Sequence, residues 1–555
     1  MPDRSSIPSS PSTRRTTVFW ADEIAAAATG QQVVNDSKTP SGTATAGSLR
    51  GPVIHDVVWR ALRAAGRPVR FLYGVDDLDP MDSQSLLTAD AIARQMGVPL
   101  ANVPAPAGSQ EKSFARHFVG RLFLPVFQRL GIDPEFYWMS EVYRSGAMDP
   151  YLRLALDRAD VIRDLYRRIS NVERPAGWLP VSVICERCGR IGTTSAADWD
   201  GKMVSYACLP DHVRWAQGCG NRGRVSPFGG GAKLLFNVDW AARWSLFGVT
   251  IEGCGKDLAT AGGSRDRSDA VAREVFERPP PLNVTYEFLN IGGRKMSTSR
   301  GIGSAAHEIA EVVPGEQLRL LFVRPRPNQV IEFDPVETDA IPRLFDESDR
   351  LAAATAGREV RGELPQNPQR LFASSQVDPE ADIELEASAY RPPFAHLALL
   401  VQVPGVVVSE RVAAEKGSPL TNREREILTE RMAAAVAWLE GYAPDRARIS
   451  VHYDRLPPAT DSLTDAQRAY LGALAEQVAT SPTWSGEALQ GLIFTVARER
   501  TLTPGDAFAA IYVAFLGVAS GPRAGWLLAS LERAFVEIRL RDAAAPGQAA
   551  TRPPG

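Results

Sequence analysis

The chain has 555 residues, of which 44% are hydrophobic and 23% charged, and its formal net charge is −3. This composition is typical of a globular protein and excludes a uniformly basic nucleic-acid-binding chain, so any surface for nucleic acid has to be a local patch. The opening residues contain no apolar core and no run reaches transmembrane length, so we expect a cytoplasmic protein that binds neither membrane nor DNA.

The first predicted elements are a strand, a loop, a helix and a second strand. The loop Lys38–Gly51, KTPSGTATAGSLRG, joins the apolar run QQVV to the helical pattern VIHDVVWRALRAAG. Small hydroxyl residues and glycines before a helix direct backbone amides at a phosphate. The next run, RPVRFLYGV, ends in Asp76, Asp77 and Asp79. Loops at the carboxyl ends of parallel strands share one crevice, which predicts a nucleotide-sized cleft, although three aspartates also suit a solvated turn.

The rest of the chain alternates between helical and strand-like patterns. Residues 112–175 have mostly helical periodicity, and 180–222 contain most of the cysteines. The strand and loop pattern returns between 234 and 303, which indicates that an insertion interrupts the nucleotide fold. From about Ile309 the pattern is helical, with a weakly structured, proline-rich stretch near 362–395 and amphipathic helices over roughly the last 150 residues.

The cysteines are sparse for so long a chain, which favours a reducing compartment and metal binding over disulfides. CERC supplies two tetrahedral ligands from one tight turn, and two later residues can complete a structural zinc site. The fourth ligand is either Cys219 or His212, which lies four positions after Cys208; buried free thiols are the alternative to a metal. The complete set is Cys185, Cys188, Cys208, Cys219 and, standing apart, Cys254.

A second glycine-rich loop, Gly292–Gly303, has the sequence GGRKMSTSRGIG. Glycines on both sides of a cation and three hydroxyl groups make a loop that can fold over a polyphosphate. The ammonium of Lys295 can neutralise the charge that develops on a leaving pyrophosphate, and neighbouring hydroxyls and amides can hold its oxygens. Composition alone is weak evidence, because loops rich in glycine and serine are common.

As an ordered string, KMSTS resembles the KMSKS signature of class I aminoacyl-tRNA synthetases, in the form found in the class I lysyl-tRNA synthetase family. The loop residues TPSG resemble the start of the same family's T-P-S-G-x-x-H-I-G-N loop, its version of the HIGH signature. Of the H-I-G-N positions, here Thr45, Ala46, Gly47 and Ser48, only the glycine is retained. FLYGVDDLDPM, NVDWAARWSLFGVTIEGCGKD and the late YVAFLGVASGPRAGWLLASL extend the resemblance over most of the chain.

The resemblance implies an α/β fold: a Rossmann-type catalytic domain with a zinc-binding insertion, then an all-α anticodon-binding domain. The expected boundaries are a disordered tail at 1–18, the catalytic domain at 19–310 with its insertion at about 100–235, a connecting region at 311–395, the helical domain at 396–541 and a second disordered tail at 542–555. The family also has a GCG sequence at the position of Cys219, which favours that residue as the fourth zinc ligand.

The resemblance further implies the residues of the active site. Catalysis is expected from Lys295, Ser297, Thr298 and Arg300. ATP binding is expected from Thr39, Pro40, Ser41, Gly42, Thr45, Gly47, Ser48, Met296 and Ser299. Amino-acid binding is expected from Asp76, Asp77, Asp239, Trp240, Lys256, Asp257 and Tyr286, since a lysine substrate needs carboxylates for its two ammonium groups and aromatic walls for its methylenes.

These residues indicate an enzyme that uses ATP and Mg²⁺ to attach lysine to its tRNA through lysyl-adenylate. Tyrosine and histidine of the family pattern are replaced by Arg265 and Leu258 beside the expected amino-acid pocket. An enzyme that activates a related amino acid, or uses another acceptor, is therefore one alternative. The other is a tRNA-binding or regulatory relative with impaired catalysis, because the histidines of the HIGH signature are absent.

Overall fold

The computed structural model describes residues 18–41, 45–82, 89–291, 294–295 and 305–545. The chain divides into two compact units. The first contains the described residues up to Ala310, together with Gly315–Glu332 and Gly357–Ala381; the second contains Glu311–Pro314, Phe333–Ala356 and the described residues from Asp382 onward. Residues 311–395, expected as a connecting region, are thus shared between the two units.

The strands lie in the first unit and fall into several small sheets. They are β1 (Gln32–Lys38), β2 (Val69–Val75), β3 (Glu135–Trp138), β4 (Val181–Val183), β5 (Thr194–Ala197), β6 (Val204–Cys208), β7 (Arg222–Val225), β8 (Ala232–Leu234), β9 (Leu289–Ile291), β10 (Arg294–Lys295) and β11 (Ile331–Glu332).

The α-helices alternate with these strands and then continue alone through the second unit. They are α1 (Trp20–Ala27), α2 (Arg50–Ala64), α3 (Ala89–Gln95), α4 (Phe114–Phe118), α5 (Leu124–Arg129), α6 (Met139–Arg144), α7 (Asp149–Asp157), α8 (Ala159–Ser170), α9 (Phe236–Phe247), α10 (Ser264–Glu274), α11 (Ala306–Val312), α12 (Gly315–Val323), α13 (Ala340–Thr355), α14 (Pro368–Ser375), α15 (Ile383–Ser388), α16 (Phe394–Leu400), α17 (Val408–Lys416), α18 (Asn422–Gly441), α19 (Asp465–Thr480), α20 (Gly486–Glu499), α21 (Pro504–Leu516), α22 (Ala524–Ser530) and α23 (Arg533–Ala544).

The central sheet of the first unit is parallel and has the doubly wound order. β1 pairs with β2, and β2 pairs with β3, all in parallel. On the other side of β1, Val34 forms a parallel bridge to Ile251, which bridges in parallel to Leu282. The spatial order is therefore the third, second and first strands, then the two later segments, which is the Rossmann arrangement with its switch point beside β1. Although β3 lies within the expected insertion at about 100–235, it belongs to this sheet.

The cysteine-rich segment forms two small antiparallel sheets of its own. β4 pairs with β8, and β6 pairs with both β5 and β7. The strands are three to five residues long, so they offer few apolar positions from which to build a core. An additional crosslink such as a metal would stabilise a subdomain of this size.

The regular secondary structure described in the second unit is helical, as the sequence predicts. One apolar core lies among α19 to α23, with Tyr470, Leu474 and Phe515 buried in it, and a smaller one lies among α16, α17 and α18. Two long helices begin at capping boxes, Thr421 with Glu424 and Thr464 with Gln467. Such caps satisfy amides at the helix N-terminus that would otherwise have no partner.

The sequence predicts a disordered tail at each end of the chain, and the structure describes only a small part of each. Residues 1–17 and 546–555, which make up most of the two expected tails, lie outside the described residues. The second expected tail begins at 542, but α23 runs to Ala544. Among the described helices, none combines the length and the apolar character needed to cross a bilayer.

Candidate active site

The site lies at the carboxyl ends of the parallel strands, beside the switch point of the sheet. The Asp76 amide donates to the Lys38 carbonyl over 3.0 Å, so the loops after β1 and β2 leave the sheet together. Here the Thr39 hydroxyl donates to Asp79 Oδ2 over 2.5 Å. The two loops predicted to face each other are therefore in direct contact. Pro40 is buried and Ser41 half-buried, whereas Gly42 lies outside the described residues.

The helix after this loop begins with a tight turn at Thr45, Gly47 and Ser48. The Ser48 amide and hydroxyl both donate to the Thr45 carbonyl, over 2.9 and 2.5 Å. Thr45 also forms an antiparallel bridge to Ala305. The Ser48 hydroxyl therefore donates its proton to a carbonyl within its own turn. The sequence-based assignment of Ser48 to ATP binding therefore requires its hydroxyl to change partner when nucleotide enters.

Three aspartates, of which Asp79 is half-buried and the other two buried, form one network with two cations, and we call this network the inner cluster. Its members are Asp76, Asp79, Asp239, Lys233 and Arg243. Arg243 NH1 donates to Asp76 Oδ1 over 2.7 Å, and its Nε lies 3.1 Å from Asp239 Oδ2. Lys233 Nζ donates to Asp79 Oδ1. With every group ionised, three carboxylates against two cations leave a net charge of −1.

The pKa values of the cluster reflect this excess of carboxylates over cations. Burial raises the pKa of Asp76 to about 7, and the attraction of Arg243 only partly offsets it. Burial also acts to raise the pKa of Asp79, but Lys233 and the hydrogen bond from Thr39 outweigh burial and lower it. The pKa of Lys233 rises because Asp79, Asp239 and Asp76 outweigh the opposing effect of burial. Asp76 is thus less well neutralised by the protein itself than Asp79 is.

Asp77, predicted to bind the amino acid, instead holds the start of α6. Its Oδ1 accepts from the Ser140 amide over 2.7 Å, and its Oδ2 accepts from the Ser140 hydroxyl over 2.5 Å. Asp77 is 3% exposed. Both oxygens of Asp77 therefore accept hydrogen bonds from Ser140. This pairing spans 63 residues, so the local sequence does not predict it.

Lys256 and Asp257 are exposed, and Tyr286 is half-buried nearby. Lys256 Nζ lies 2.5 Å from Glu287 Oε2, and its amide donates to the Tyr286 carbonyl over 2.9 Å. A Cβ atom on Gly51 would lie 2.7 Å from the Tyr286 hydroxyl oxygen. Gly51, at the start of α2, is thus the glycine that lets Tyr286 approach the helix.

Trp240 donates to Glu252, an acidic residue that no motif in the sequence singles out. The indoles of Trp240 and Trp244 donate to the two oxygens of Glu252, over 2.7 and 2.8 Å, and Asn35 Nδ2 donates to the same carboxylate over 2.8 Å. Glu252 is 2% exposed. This carboxylate fixes both rings and joins them to β1.

Arg265 does not add a free cation to the pocket. Its NH1 and NH2 donate to the carbonyls of Glu252 and Pro281, over 2.7 and 2.5 Å, and its Nε donates to Asp269 over 2.7 Å. The guanidinium also lies 4.7 Å from the centroid of the Trp244 ring. Arg265 is 2% exposed, and its buried guanidinium packs against the rings of Trp240 and Trp244. Leu258 packs against the core of the first unit.

His55 and Arg50, both on α2, are also engaged within the fold. The Gly253 amide donates to His55 Nε2 over 2.8 Å, so the proton of the neutral ring is on Nδ1, which lies 2.8 Å from the Gly51 carbonyl oxygen. Arg50 is 1% exposed and donates to the carbonyls of Phe288, Pro327 and Gln329. Burial lowers its pKa to about 10. Neither side chain replaces the histidines of the HIGH signature.

The second glycine-rich loop is described only in part. The backbone of Lys295 pairs with Asn290, which places this residue in the β10–β9 hairpin at the start of the loop. The other residues predicted from this loop lie outside the described residues: Met296, Ser297, Thr298, Ser299 and Arg300.

Four cysteines converge on one point of the insertion. The sulfurs of Cys185, Cys188, Cys208 and Cys219 all lie within 4.8 Å of one another, and the pairs Cys185–Cys219 and Cys188–Cys208 are each separated by 3.7 Å. Four thiolates about 2.3 Å from a tetrahedral zinc ion would lie roughly 3.8 Å apart, so this arrangement fits the metal. His212 is exposed and is not part of the cluster.

Cys254 stands apart from the metal cluster, as the sequence indicates. It is 3% exposed, and its thiol donates to Asn283 Oδ1 over 3.6 Å. Burial raises its pKa to about 11, so the thiol remains protonated and unreactive near neutral pH.

Comparison with known proteins agrees with this geometry. The family model described as tRNA synthetases class I (K) matches residues 18–378. "Lysine--tRNA ligase 1" of Methanosarcina acetivorans is 33% identical over 548 residues, which cover 95% of this chain and 98% of that protein. "Lysine--tRNA ligase" of Archaeoglobus fulgidus is 31% identical over 538 residues, which cover 95% of this chain and all of that protein. The chain belongs to the class I (K) family of tRNA synthetases.

Proposed function

We propose that this chain is a lysine–tRNA ligase. The lysine carboxylate attacks the α-phosphate of ATP to form lysyl-adenylate and release pyrophosphate. A ribose hydroxyl at the end of tRNA then attacks the adenylate carbonyl, takes the lysyl group and releases AMP. The relatives named above match nearly the whole of both chains and carry this activity in their names. Mg²⁺ would accompany ATP and offset charge on its phosphates.

The observation that carries the choice of lysine is the match to lysine–tRNA ligases over nearly the whole chain, and the inner cluster offers a place for an ammonium group of the substrate. Its net charge of −1 lies in a site where Asp76 and Asp239 are 4% and 0% exposed. An excess carboxylate in a buried site is unfavourable without a counter-ion, and a substrate ammonium group would supply one. Every amino acid carries an α-ammonium group, so the cluster accounts for binding of an amino acid but does not by itself select lysine. The names of the relatives carry that choice.

Part of the predicted amino-acid site fits this role and part does not. Asp76 and Asp239 are suited to attract the ammonium, and Trp240, held by Glu252, is suited to contact the methylenes. Asp77 is better explained as the cap of α6. Lys256 and Asp257 follow the Ile251 segment, and Tyr286 follows the neighbouring Leu282 segment. At these carboxyl ends they would meet the adenylate rather than the lysine side chain.

Activation of a different amino acid is not favoured. Two replacements, Arg265 and Leu258, are the reason to consider a different amino acid. Neither contributes a free charge, because Arg265 is buried against carbonyl oxygens and Leu258 packs on the core. Loss of the HIGH histidines remains compatible with catalysis, because class I synthetases act mainly by positioning and electrostatic stabilisation. Lys295 would supply that stabilisation to the departing pyrophosphate.

The cysteine cluster would hold one structural zinc ion. Cys185 and Cys188 follow β4, whereas Cys208 ends β6, so the metal would tie the two small sheets together. The Cys219 amide also donates to Cys208 Sγ over 3.3 Å. Amide donors of this kind stabilise thiolate ligands.

The second unit would bind the anticodon region of tRNA. Not every arginine of this unit is available to it, because Arg431 is buried and paired with Asp349, and Arg423 is paired with Glu386. Both pairs stabilise the helical unit itself. Phosphate contacts would have to come from other cations on its surface.

ATP–pyrophosphate exchange with each of the twenty amino acids tests the proposal. We expect exchange with lysine to exceed exchange with every other amino acid by at least about a hundredfold. Exchange that depends on a neutral amino acid would contradict the lysine assignment. Absence of exchange in folded protein that still binds tRNA would favour a catalytically impaired relative.

A further inference from the structure

A buried arginine joins the start of α2 to the chain segments on both sides of the second glycine-rich loop. Arg50, the first residue of α2, is 1% exposed. Its NH1 donates to the Phe288 carbonyl over 3.1 Å, and its NH2 donates to the carbonyls of Pro327 and Gln329 over 3.0 and 2.6 Å. Phe288 precedes the loop Gly292–Gly303 in the sequence, whereas Pro327 and Gln329 follow it. One guanidinium therefore connects the segment before this loop with the segment after it.

The segments that Arg50 contacts belong to a small sheet that also contains Lys295. In this sheet β9 pairs in parallel with β11 and antiparallel with β10, and Lys295 lies in β10. The Phe288 carbonyl, just before β9, accepts from the Ile331 amide of β11 over 3.0 Å as well as from Arg50. A shift of β9 relative to α2 would therefore move the backbone of Lys295 as well.

Other contacts fix α2 to the part of the chain that follows the loop. NH2 of Arg319 on α12 lies 2.7 Å from Oδ2 of Asp56 on α2, and both side chains are fully buried. Thr45, which lies shortly before α2, forms its backbone bridge to Ala305. Breaking a buried ion pair is strongly destabilising, so α2 and α12 stay together in the folded protein. The helix α2 is thus a fixed reference for the position of the sheet that carries Lys295.

The shape of the side chain at position 50 matters for this connection. A guanidinium is planar and carries five N–H donors, so Arg50 can reach carbonyls of two separate segments at once. A lysine ammonium is a compact charge at the end of a flexible stem and cannot reproduce this fixed geometry. Arginine-to-lysine replacement at this residue should therefore keep the charge but loosen the connection.

We propose that Arg50 is a positioning residue for adenylation, which holds Lys295 in the place where its ammonium meets the departing pyrophosphate. The proposal rests on the function proposed above, in which the loop before α2 binds ATP and Lys295 stabilises the pyrophosphate. Both groups must act on the same ATP molecule, so their relative position controls the rate. Because Arg50 is buried, it acts through the sheet and does not touch the nucleotide.

The test compares Arg50→Lys with Arg60→Lys. Arg60 lies on the same helix and donates to three carbonyls, but these belong to Gly131, Gln376 and Val377, outside the sheet of β9, β10 and β11. Burial lowers the pKa of each arginine to about 10. Arg60→Lys therefore controls for the replacement of a buried, carbonyl-bound guanidinium on α2. The measurements are the melting temperature and, from lysine-dependent ATP–pyrophosphate exchange, kcat and the KM values for lysine and ATP.

We expect Arg50→Lys to lower kcat for exchange about ten- to a hundredfold, because a small misplacement of a catalytic group has an effect of this size. The KM for lysine should stay within about twofold of wild type, since the inner cluster is intact. Arg60→Lys should lower the melting temperature by a similar amount but leave kcat close to wild type. If Arg50 were merely structural, kcat would follow the loss of stability equally in both variants.

A double-mutant cycle measures whether Arg50 acts through Lys295. In a Lys295→Ala background, Arg50→Lys should lower kcat by less than about threefold, because the group that it positions is already absent. Arg50→Gln retains amide donors without burying a charge and is assayed in the same two backgrounds. It should show the same pattern, so the comparison does not depend on the folding of a single variant.

Normal kcat values in folded Arg50→Lys and Arg50→Gln would overturn the proposal. So would a defect of full size in the Lys295→Ala background, because Arg50 would then act on another part of the site. If wild type shows no lysine-dependent exchange at all, the function proposed above fails instead. Wild-type exchange that is lowered by Lys295→Ala but not by Arg50→Lys would remove only the positioning role of Arg50.

Discussion

Arg243 lies between two buried aspartates, 2.7 Å from Asp76 Oδ1 through its NH1 and 3.1 Å from Asp239 Oδ2 through its Nε. One guanidinium thus forms ion pairs with two carboxylates, and Lys233 forms an ion pair with the third, Asp79. The protein neutralises this site incompletely. The charge it leaves matches the charge of one ammonium group on an amino-acid substrate.

Asp76→Asn should weaken lysine binding. The substitution removes the excess negative charge, so we expect the KM for lysine in the exchange reaction to rise at least about tenfold, which corresponds to ~1.4 kcal/mol. The matched control is Asp77→Asn, which loses a hydrogen-bond partner of Ser140. It should lower the melting temperature but change the KM for lysine much less. Equal effects of the two variants on KM would contradict the assignment.

Lysine affinity should depend on pH through Asp76. Its pKa is raised to about 7, so the carboxylate becomes protonated as pH falls from 8 to 6 while the lysine ammonium stays charged. We expect the KM for lysine to increase about tenfold over this interval. The folded protein holds the Asp76 proton more tightly than the unfolded chain does, so protein without lysine should lose stability as pH rises from about 4 to about 7 and little further above it. A KM profile that is just as steep in Asp76→Asn would assign the titration to another group.

The purified protein should contain about one zinc ion per chain. Cys188→Ser removes one of the four thiolates and should lose the metal, because three protein ligands hold structural zinc poorly. Protection of residues 180–222 from hydrogen exchange should fall, with the central sheet much less affected. Cys254→Ser is the control and should retain the metal. Metal-free wild-type protein from zinc-replete cells would exclude this role.

Lys295→Ala should slow adenylation more than it weakens binding. The ammonium is expected to act on charge that develops as pyrophosphate leaves, so kcat for exchange should fall about a hundred- to a thousandfold with a modest change in the KM for lysine. Lys112→Ala, a substitution of an exposed lysine in the same unit, provides the control. Unchanged exchange kinetics in Lys295→Ala would show that another cation stabilises the pyrophosphate.

Local sequence patterns were sufficient to predict the framework of the site. β1 begins with a short apolar run, β2 ends in a longer one, and each strand is followed by a polar loop. Because the carboxyl ends of parallel strands lie together, contact between the Thr39 and Asp79 loops follows from topology. The cysteine spacing likewise anticipated the sulfur cluster. The family resemblance is confirmed by the match over residues 18–378.

The partners of individual side chains were not predictable in the same way. Asp77 meets Ser140, and Asp76 meets Arg243, across separations of 63 and 167 residues. Nothing local distinguishes an aspartate that caps a helix from one that lines a pocket. Glu252 and the buried Arg265 were missed or misjudged for the same reason, since their roles depend on neighbours that only the folded chain brings together.

The most direct test of this account is the charging of tRNA(Lys) by the purified chain with ATP, Mg²⁺ and labelled lysine. We predict that lysine becomes esterified to the 3′ end of the tRNA, that the product is labile to mild base, and that arginine and ornithine are attached at least about a hundredfold less efficiently. Efficient attachment of another amino acid in place of lysine, or adenylation of lysine with no transfer to tRNA, would contradict it.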